Sequence, residues 1–226
     1  MTQAGPGGPA RAPVLRLQAA SRRHGGVLAL APVSLSLHPG TATLVTGHNG
    51  SGKSTLLKVA AGLLRPTTGS REATGRALYL LSGHGARAVE TAHTAVSTAA
   101  RLAGVAAPLA AESAAAALEA AGLGDLAGRP AGSLSSGQRA RLSLAVALAC
   151  PASVVCLDEP TAHLDSDGPP LVDRVLATLR ERGAAVLVST HDAAGPSWPV
   201  DAHLHLDRGA LRSVTADDAA ARVPAR

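Results

Sequence analysis

The segment that most constrains this chain is a glycine-rich loop that ends in lysine and serine. It runs Gly47-His48-Asn49-Gly50-Ser51-Gly52-Lys53-Ser54-Thr55 and fits the phosphate-binding pattern G-x-x-x-x-G-K-[ST]. The apolar pair Leu44-Val45 before it predicts the end of a buried strand, and residues 55–60 predict a helix. A phosphate bound by this loop would meet a helix N-terminus, where backbone N–H groups are unpaired and the dipole favours anions.

The residue types in this loop suit the binding of a charged nucleotide. Gly47, Gly50 and Gly52 permit the backbone conformations that turn successive N–H groups towards a triphosphate. Lys53 supplies a positive charge for the terminal phosphates, and the Ser54 hydroxyl is placed to bind Mg²⁺. The loop therefore predicts a site for ATP or GTP with Mg²⁺.

Composition narrows the class of protein. The 226 residues carry a net charge of +5 but only 1% aromatic residues, so the interleaved aromatics of single-strand binders are missing and no nucleic-acid partner is expected. Apolar residues make up 46%, yet no segment reaches the roughly 18 uncharged apolar residues of a membrane span. Residues 1–13 lack the hydrophobic core of a signal peptide, and we expect a cytosolic chain with a disordered start.

The first half of the chain reads as strands followed by helices. Residues 14–17 and 33–38 predict half-exposed strands in an antiparallel layer ahead of the loop. The helix after the loop should end near Gly62, with residues 65–69 as a loop and residues 76–81 as another strand. The alanine-rich residues 90–128 predict helices that form a lobe inserted in the nucleotide domain.

The second half places two carboxylates at the end of a strand. Residues 153–159 predict an apolar strand that ends in Asp158 and Glu159, and residues 186–190 predict a second buried strand that ends in His191. A strand beside the loop strand would bring Asp158 to the same sheet edge, where ligands bind. Asp158 can then hold Mg²⁺ through water and Glu159 can polarise the attacking water. A hairpin with its turn at residues 207–209 follows.

Five motifs in this order resemble the ATP-binding subunits of ABC transporters. They are the phosphate loop, LSSGQ at 134–138, VVCLDEP at 154–160, AHLD at 162–165 and STHD at 189–192. The resemblance implies an α/β phosphate-loop NTPase of ABC type, with a mixed sheet core, an N-terminal antiparallel β layer and an inserted α-helical lobe. It places the ATPase domain at 14–212, the lobe at about 86–133, and tails at 1–13 and 213–226.

The resemblance also implies roles for single residues. Two such domains sandwich two ATP molecules, so the signature of one subunit would bind the γ-phosphate held by its partner. Glu159 would be the general base, His191 would orient the γ-phosphate and water, Asp165 would line the dimer seam, and His24 would stack on adenine. The signature residues are Leu134, Ser135, Ser136, Gly137 and Gln138.

Two positions depart from the family pattern. Ser136 stands where glycine is commoner, and the loop after the strand at 76–81 lacks the family's Mg²⁺-binding glutamine, since glutamines occur only at 3, 18 and 138. His84 or Gly85 stands at the expected place. Either the site tolerates the replacement, or turnover is slow and the protein acts as a nucleotide-binding switch.

The motifs are compatible with three functions. The first is an ATP-hydrolysing subunit of a membrane transporter, peripheral on the inner face of the cell membrane and bound to a second ATPase subunit and a separate transmembrane subunit. The second is a soluble ABC-type ATPase, and the third is a regulatory module with little hydrolysis. The compact domain favours an exporter. The short segments around Tyr79 and Pro130 are similar to those of the haem exporter ATPases of cytochrome c maturation.

Overall fold

The computed structural model describes residues 12–191 and 198–216, which form nine β-strands and five α-helices. The strands are β1 (Leu15–His24), β2 (Val27–Leu37), β3 (Ala42–Thr46), β4 (Thr68–Ala73), β5 (Ala77–Leu81), β6 (Val154–Asp158), β7 (Ala185–Thr190), β8 (Ala202–Asp207) and β9 (Ala210–Ala216). The helices are α1 (Lys53–Ala61), α2 (Ala92–Leu102), α3 (Ala107–Ala120), α4 (Ser136–Ala149) and α5 (Gly168–Glu181). Most of the two predicted tails, residues 1–11 and 217–226, lies outside the described residues.

The predicted antiparallel layer is a three-stranded sheet of order β2-β1-β4. It confirms the layer ahead of the phosphate loop, but its third strand comes after α1. The prediction of a loop at 65–69 is wrong at its end, because β4 begins at Thr68. The sequence of β4, TGSREA, lacks apolar alternation because the strand lies at the edge of the sheet, where polar residues are favoured.

The second sheet carries the predicted site at one edge. Its order is β5-β6-β7-β3-β8-β9, with β9 antiparallel to β8 and the other pairs parallel. The expectation that the Asp158 strand lies beside the loop strand is wrong, since β7 separates β6 from β3. The carboxyl ends of parallel strands nevertheless share one edge, so Asp158, Thr190 and the loop after Thr46 still lie on it.

The central strands are covered on both faces. Every residue of β3, β6 and β7 is buried, as expected for a parallel sheet between two layers. Adjacent residues therefore enter different cores: Val45 packs with α1 and the antiparallel sheet, whereas Leu44 packs with the core formed by α2 to α5. This alternation fixes which side chains point towards α1.

The alanine-rich segment forms α2 and α3, as predicted, with Gly104 between them. Ala100, Ala114 and Ala117 are buried in the core that α2 to α5 share, so small side chains form part of that core. Among the helices that the structure describes, none combines the length and hydropathy needed to span a bilayer.

Candidate nucleotide-binding site

The phosphate loop connects β3 to α1. Backbone atoms of other strands lie close to two of its glycines. Gly47 has φ of 146° and Gly52 has φ of 104°, a left-handed region that favours glycine. A Cβ atom at Gly52 would lie 2.7 Å from the carbonyl oxygen of Ala29, and one at Gly47 would collide with the Leu206 carbonyl oxygen. The pattern therefore needs glycine at both positions because β2 and β8 crowd the loop.

The loop is fastened to the turn between β8 and β9. Gly209 N donates to the Ser51 carbonyl oxygen at 2.8 Å, and the Gly209 carbonyl oxygen accepts from Ala31 N at 2.7 Å. The antiparallel pairing of β8 and β9 up to Asp207 and Ala210 confirms the predicted hairpin with its turn at 207–209. Within the loop, His48 Nε2 lies 3.1 Å from Asp207 Oδ1, while Asn49 and Gly50 are exposed.

Lys53, the first residue of α1, points into the site with only 6% of its side chain exposed. Its Nζ donates to the Gly47 carbonyl oxygen at 2.8 Å and forms an ion pair with Glu159 Oε1 at 3.3 Å. Ser54 and Thr55 follow in the first turn of α1, and Ser54 is exposed. The ammonium group thus lies between the loop and the carboxylate that follows β6.

Asp158 is held by hydroxyl groups from the strands on both sides of β6. Tyr79 on β5 donates to Oδ2 at 2.6 Å, and Ser189 on β7 donates to Oδ1 at 2.6 Å. Burial, and next the hydrogen bond to Asp158, raises the pKa of Tyr79 above its ordinary value, so the phenol stays a donor. Asp158 itself is 1% exposed, so its carboxylate has a fixed orientation in the sheet edge.

Glu159 lies between a lysine and a histidine. Its Oε2 is 2.7 Å from His191 Nδ1 and accepts from His191 N at 3.2 Å. Its backbone has φ of 52°, a strained conformation for a residue with a Cβ, and its N–H donates to Ser189 Oγ at 3.0 Å. These contacts aim the carboxylate at the loop side of the sheet edge, where Lys53 meets it.

The oxygen groups at this edge fit Mg²⁺. The Ser54 hydroxyl and the buried Asp158 carboxylate are hard oxygen ligands of the kind that Mg²⁺ takes together with nucleotide phosphates and water. Across the described ranges there is no cluster of three or more His, Cys, Asp or Glu that could hold a metal.

The predicted signature forms the start of α4. Ser135 caps this helix: its Oγ accepts from Gln138 N at 3.2 Å, and Gln138 Oε1 accepts from Ser135 N at 2.9 Å. Leu134 is buried, whereas Ser135 and Ser136 are exposed. A Cβ on Gly137 would lie 3.0 Å from the His163 carbonyl oxygen. The helix N-terminus is thus presented at the surface, where it can meet an anion.

The remaining predicted residues lie at the surface around the site. Asp165 is 67% exposed and pairs with Arg141 at 3.1 Å, and exposed His24 ends β1 at the turn into β2. His84, expected at the glutamine position, is exposed, and its Nδ1 lies 2.8 Å from the Ser82 carbonyl oxygen. Ser82, not His84, follows directly on β5, and its N donates to the Asp158 carbonyl oxygen at 3.2 Å. The assignment of the glutamine position to His84 or Gly85 stays a prediction.

Sequence reasoning missed Tyr79 and Ser189 as site residues. Both stand inside apolar strand runs, Tyr79 as the only tyrosine of the chain. The available signal was the polar character of each side chain at its place in the strand. Tyr79 stands two residues before the end of β5, and Ser189 pairs with Asp158 on the next strand. The order of strands was needed to use it, since it alone makes β5 and β7 the neighbours of β6.

Comparison with known proteins agrees with this geometry. A family model described as ABC transporter matches residues 30–162. The cytochrome c biogenesis ATP-binding export protein CcmA of Paramagnetospirillum magneticum is 39% identical over 199 residues, covering 83% of this chain and 91% of that protein. The protein of the same name from Ruegeria pomeroyi is 39% identical over 191 residues, covering 84% and 88%.

Solved structures show the same fold. A dimeric ATP-binding cassette in a post-hydrolysis state, bound to ADP and Pi, superposes with a TM-score of 0.80 at 23% identity, covering 89% of this chain and 98% of that one. The family match, the relatives and the shared fold together show that this chain belongs to the ABC transporter ATP-binding family, as an ABC ATPase cassette.

Proposed function

We propose that this chain binds Mg-ATP and hydrolyses it as one half of a two-cassette ATPase that drives an exporter. The observation that carries the proposal is the position of Glu159, with Lys53 Nζ 3.3 Å from one carboxylate oxygen and His191 Nδ1 2.7 Å from the other. A carboxylate between a phosphate-binding lysine and an orienting histidine has the surroundings of a general base for phosphoryl transfer to water.

The residues divide the work as follows. The N–H groups of the loop and Lys53 would bind the phosphates, and Ser54 and Asp158 would hold Mg²⁺, which would supply positive charge to offset that of the phosphates. Glu159 takes a proton from the attacking water onto a carboxylate oxygen, while the water oxygen bonds to the γ-phosphorus and ADP leaves with the bridging oxygen. His191 donates towards Glu159 or the γ-phosphate and so orients the water. His24 supports the adenine at the exposed end of β1.

A second subunit completes the site. The start of α4, where Ser135 and Ser136 are exposed and Gly137 is half-buried, would bind the γ-phosphate held by the partner, and Asp165 would line the seam between subunits. Support comes from the exposure of Ser135, Ser136 and Asp165 and from the dimeric state named for the structurally similar cassette. Hydrolysis should then depend on association of two subunits.

The membrane partner is inferred from the relatives and from the surface. The CcmA relatives are named as export proteins of cytochrome c biogenesis, and we assign this chain to the same class of exporter on the cytoplasmic face of the membrane. Val89 and Leu102 are 85% and 76% exposed, and Leu109 is 58% exposed. These apolar residues on the inserted lobe and the loop before it suit a contact with a separate transmembrane subunit.

A second candidate is a nucleotide-binding switch with little turnover. It is favoured by the absence of a glutamine between β5 and α2, since the chain has glutamines only at 3, 18 and 138. In that case ATP would still drive association through the phosphate loop and the signature. The two candidates differ only in the rate of hydrolysis.

Steady-state hydrolysis of Mg-ATP by the purified chain, measured over a series of protein concentrations, tests the proposal. Glu159→Gln serves as the blank. We expect turnover that rises more steeply than linearly with protein concentration and is lost in Glu159→Gln. ATP binding without hydrolysis, even with the transmembrane partner present, would favour the switch, and a lack of ATP binding would reject both candidates.

A further inference from the structure

We infer that Tyr79 is a positioning residue that fixes the Asp158 carboxylate for the metal ion of a bound nucleotide. The inference rests on the proposed Mg-ATP function and extends it to a residue outside the five motifs. Tyr79 itself need not touch the metal or the phosphates.

The geometry assigns one donor to each oxygen of the carboxylate. Tyr79 OH lies 2.6 Å from Oδ2 and Ser189 Oγ lies 2.6 Å from Oδ1, and the two donors come from opposite sides of β6. The carboxylate cannot rotate without breaking both bonds. Each oxygen keeps a further lone pair for a metal-bound water.

The ring of Tyr79 is itself held in place. Tyr79 packs into the core on the α1 side of the sheet, and Lys58 Nζ on α1 lies 5.6 Å from the ring centroid. A cation at this distance over the ring face is attracted to it and restricts the ring. The phenol thus reaches Asp158 from a fixed support, which a flexible polar side chain would not provide.

Partners of this kind affect metal affinity more than fold stability. Residues that hydrogen-bond to metal ligands typically change metal affinity by about 10 to 100-fold when they are removed. Tyr79→Phe keeps the ring and its packing and deletes only the donor. We therefore expect weaker metal binding and an unchanged affinity for nucleotide without metal.

The experiment measures binding in the Glu159→Gln background, so that hydrolysis does not interfere. The affinity for ATP is measured in excess EDTA, and Mn²⁺ binding to the protein with ATP is followed by electron paramagnetic resonance. Tyr79→Phe should raise the Kd for Mn²⁺ about tenfold and leave the affinity for ATP in EDTA within about twofold. A Kd for Mn²⁺ that stays within about twofold would overturn the inference.

Two further variants separate positioning from a general loss of structure. Ser189→Ala removes the other donor and should reproduce the effect of Tyr79→Phe, which also covers the case that Tyr79→Phe does not fold. Leu80→Val alters the same strand on the opposite core and should leave Mn²⁺ binding unchanged. An equal loss of ATP affinity with and without metal would show a merely structural role. If the parent with Tyr79 and Ser189 intact binds ATP no better with Mn²⁺ than in EDTA, the proposed function fails, and this inference with it.

Discussion

Lys53 and Glu159 form an ion pair of 3.3 Å that joins the first residue of α1 to the residue after β6. The strands that lead to them, β3 and β6, are not neighbours, because β7 lies between them. With side chains 6% and 20% exposed, the two charges interact in surroundings poorer in water than the surface. A bound γ-phosphate would compete with Glu159 for Lys53, so nucleotide binding should free the carboxylate for its role as base.

Lys53→Ala should weaken ATP binding by at least about tenfold, because it removes the charge that faces the terminal phosphates. Binding of ATP by both variants is measured in excess EDTA by isothermal titration calorimetry. The matched control is Lys58→Ala, which deletes the only other lysine, also on α1, and should leave ATP affinity in EDTA within about twofold. Equal losses in both variants would mean that net charge, not the loop, governs binding.

Glu159→Gln should keep ATP binding and lower turnover by about 100-fold or more, since an amide cannot accept the proton from water. Without hydrolysis, ATP should hold two subunits together, which size-exclusion chromatography with light scattering would detect as an ATP-dependent dimer. Glu181→Gln, an exposed change at the end of α5, is the control and should behave like the parent. Unchanged turnover in Glu159→Gln would remove this residue from the role of base.

Mixing two inactive variants tests whether the signature acts across the dimer. Ser135→Arg blocks the exposed start of α4 and costs about 1 kcal/mol of capping, which a thermal unfolding curve would report. A heterodimer of Ser135→Arg and Glu159→Gln subunits has one complete site if the signature serves the partner. We expect the mixture to hydrolyse ATP although neither variant does alone. An inactive mixture of folded subunits would indicate a signature that serves its own chain.

Acid should destabilise the fold through a histidine pair beside the loop strand. His203 Nε2 and His205 Nδ1 lie 2.6 Å and 3.1 Å from Thr46 Oγ1, and the single hydroxyl proton can be donated to only one of them. Burial, and next the charge of His205, lowers the pKa of His203 below its ordinary 6.5. As the pH falls below about 6.5, His203 binds a proton more readily in the unfolded chain than in the folded chain. The free energy of unfolding therefore falls as the pH falls.

Urea unfolding at about pH 7.5 and about pH 5.5 measures this effect. His203→Gln keeps a polar contact with Thr46 and removes the titrating group, so it should lose less stability between the two pH values than the parent. His24→Gln, at an exposed strand end, is the control and should keep the parent's pH dependence. A pH dependence of His203→Gln equal to that of the parent would contradict the assignment.

Local chemistry made much of the site predictable. The loop from Gly47 to Thr55, the end of α1 near Gly62 and the turn at 207–209 depend on glycine conformations and helix termini that neighbouring residues determine. The apolar runs that end in Asp158 and His191 likewise predicted strands that share one sheet edge. These features can be recognised from residues a few positions apart along the chain, although β2 and β8, which crowd Gly47 and Gly52, come from distant segments.

The order of the strands could be decided only by tertiary structure, because strand order depends on packing between segments far apart in the sequence. It placed β7 between the loop strand and β6 and added polar β4 to the antiparallel sheet. It also brought Tyr79 and Ser189 to the two oxygens of Asp158. The sequence by itself determined which residues are candidates for the chemistry, and the tertiary structure decided which side chains hold them in position.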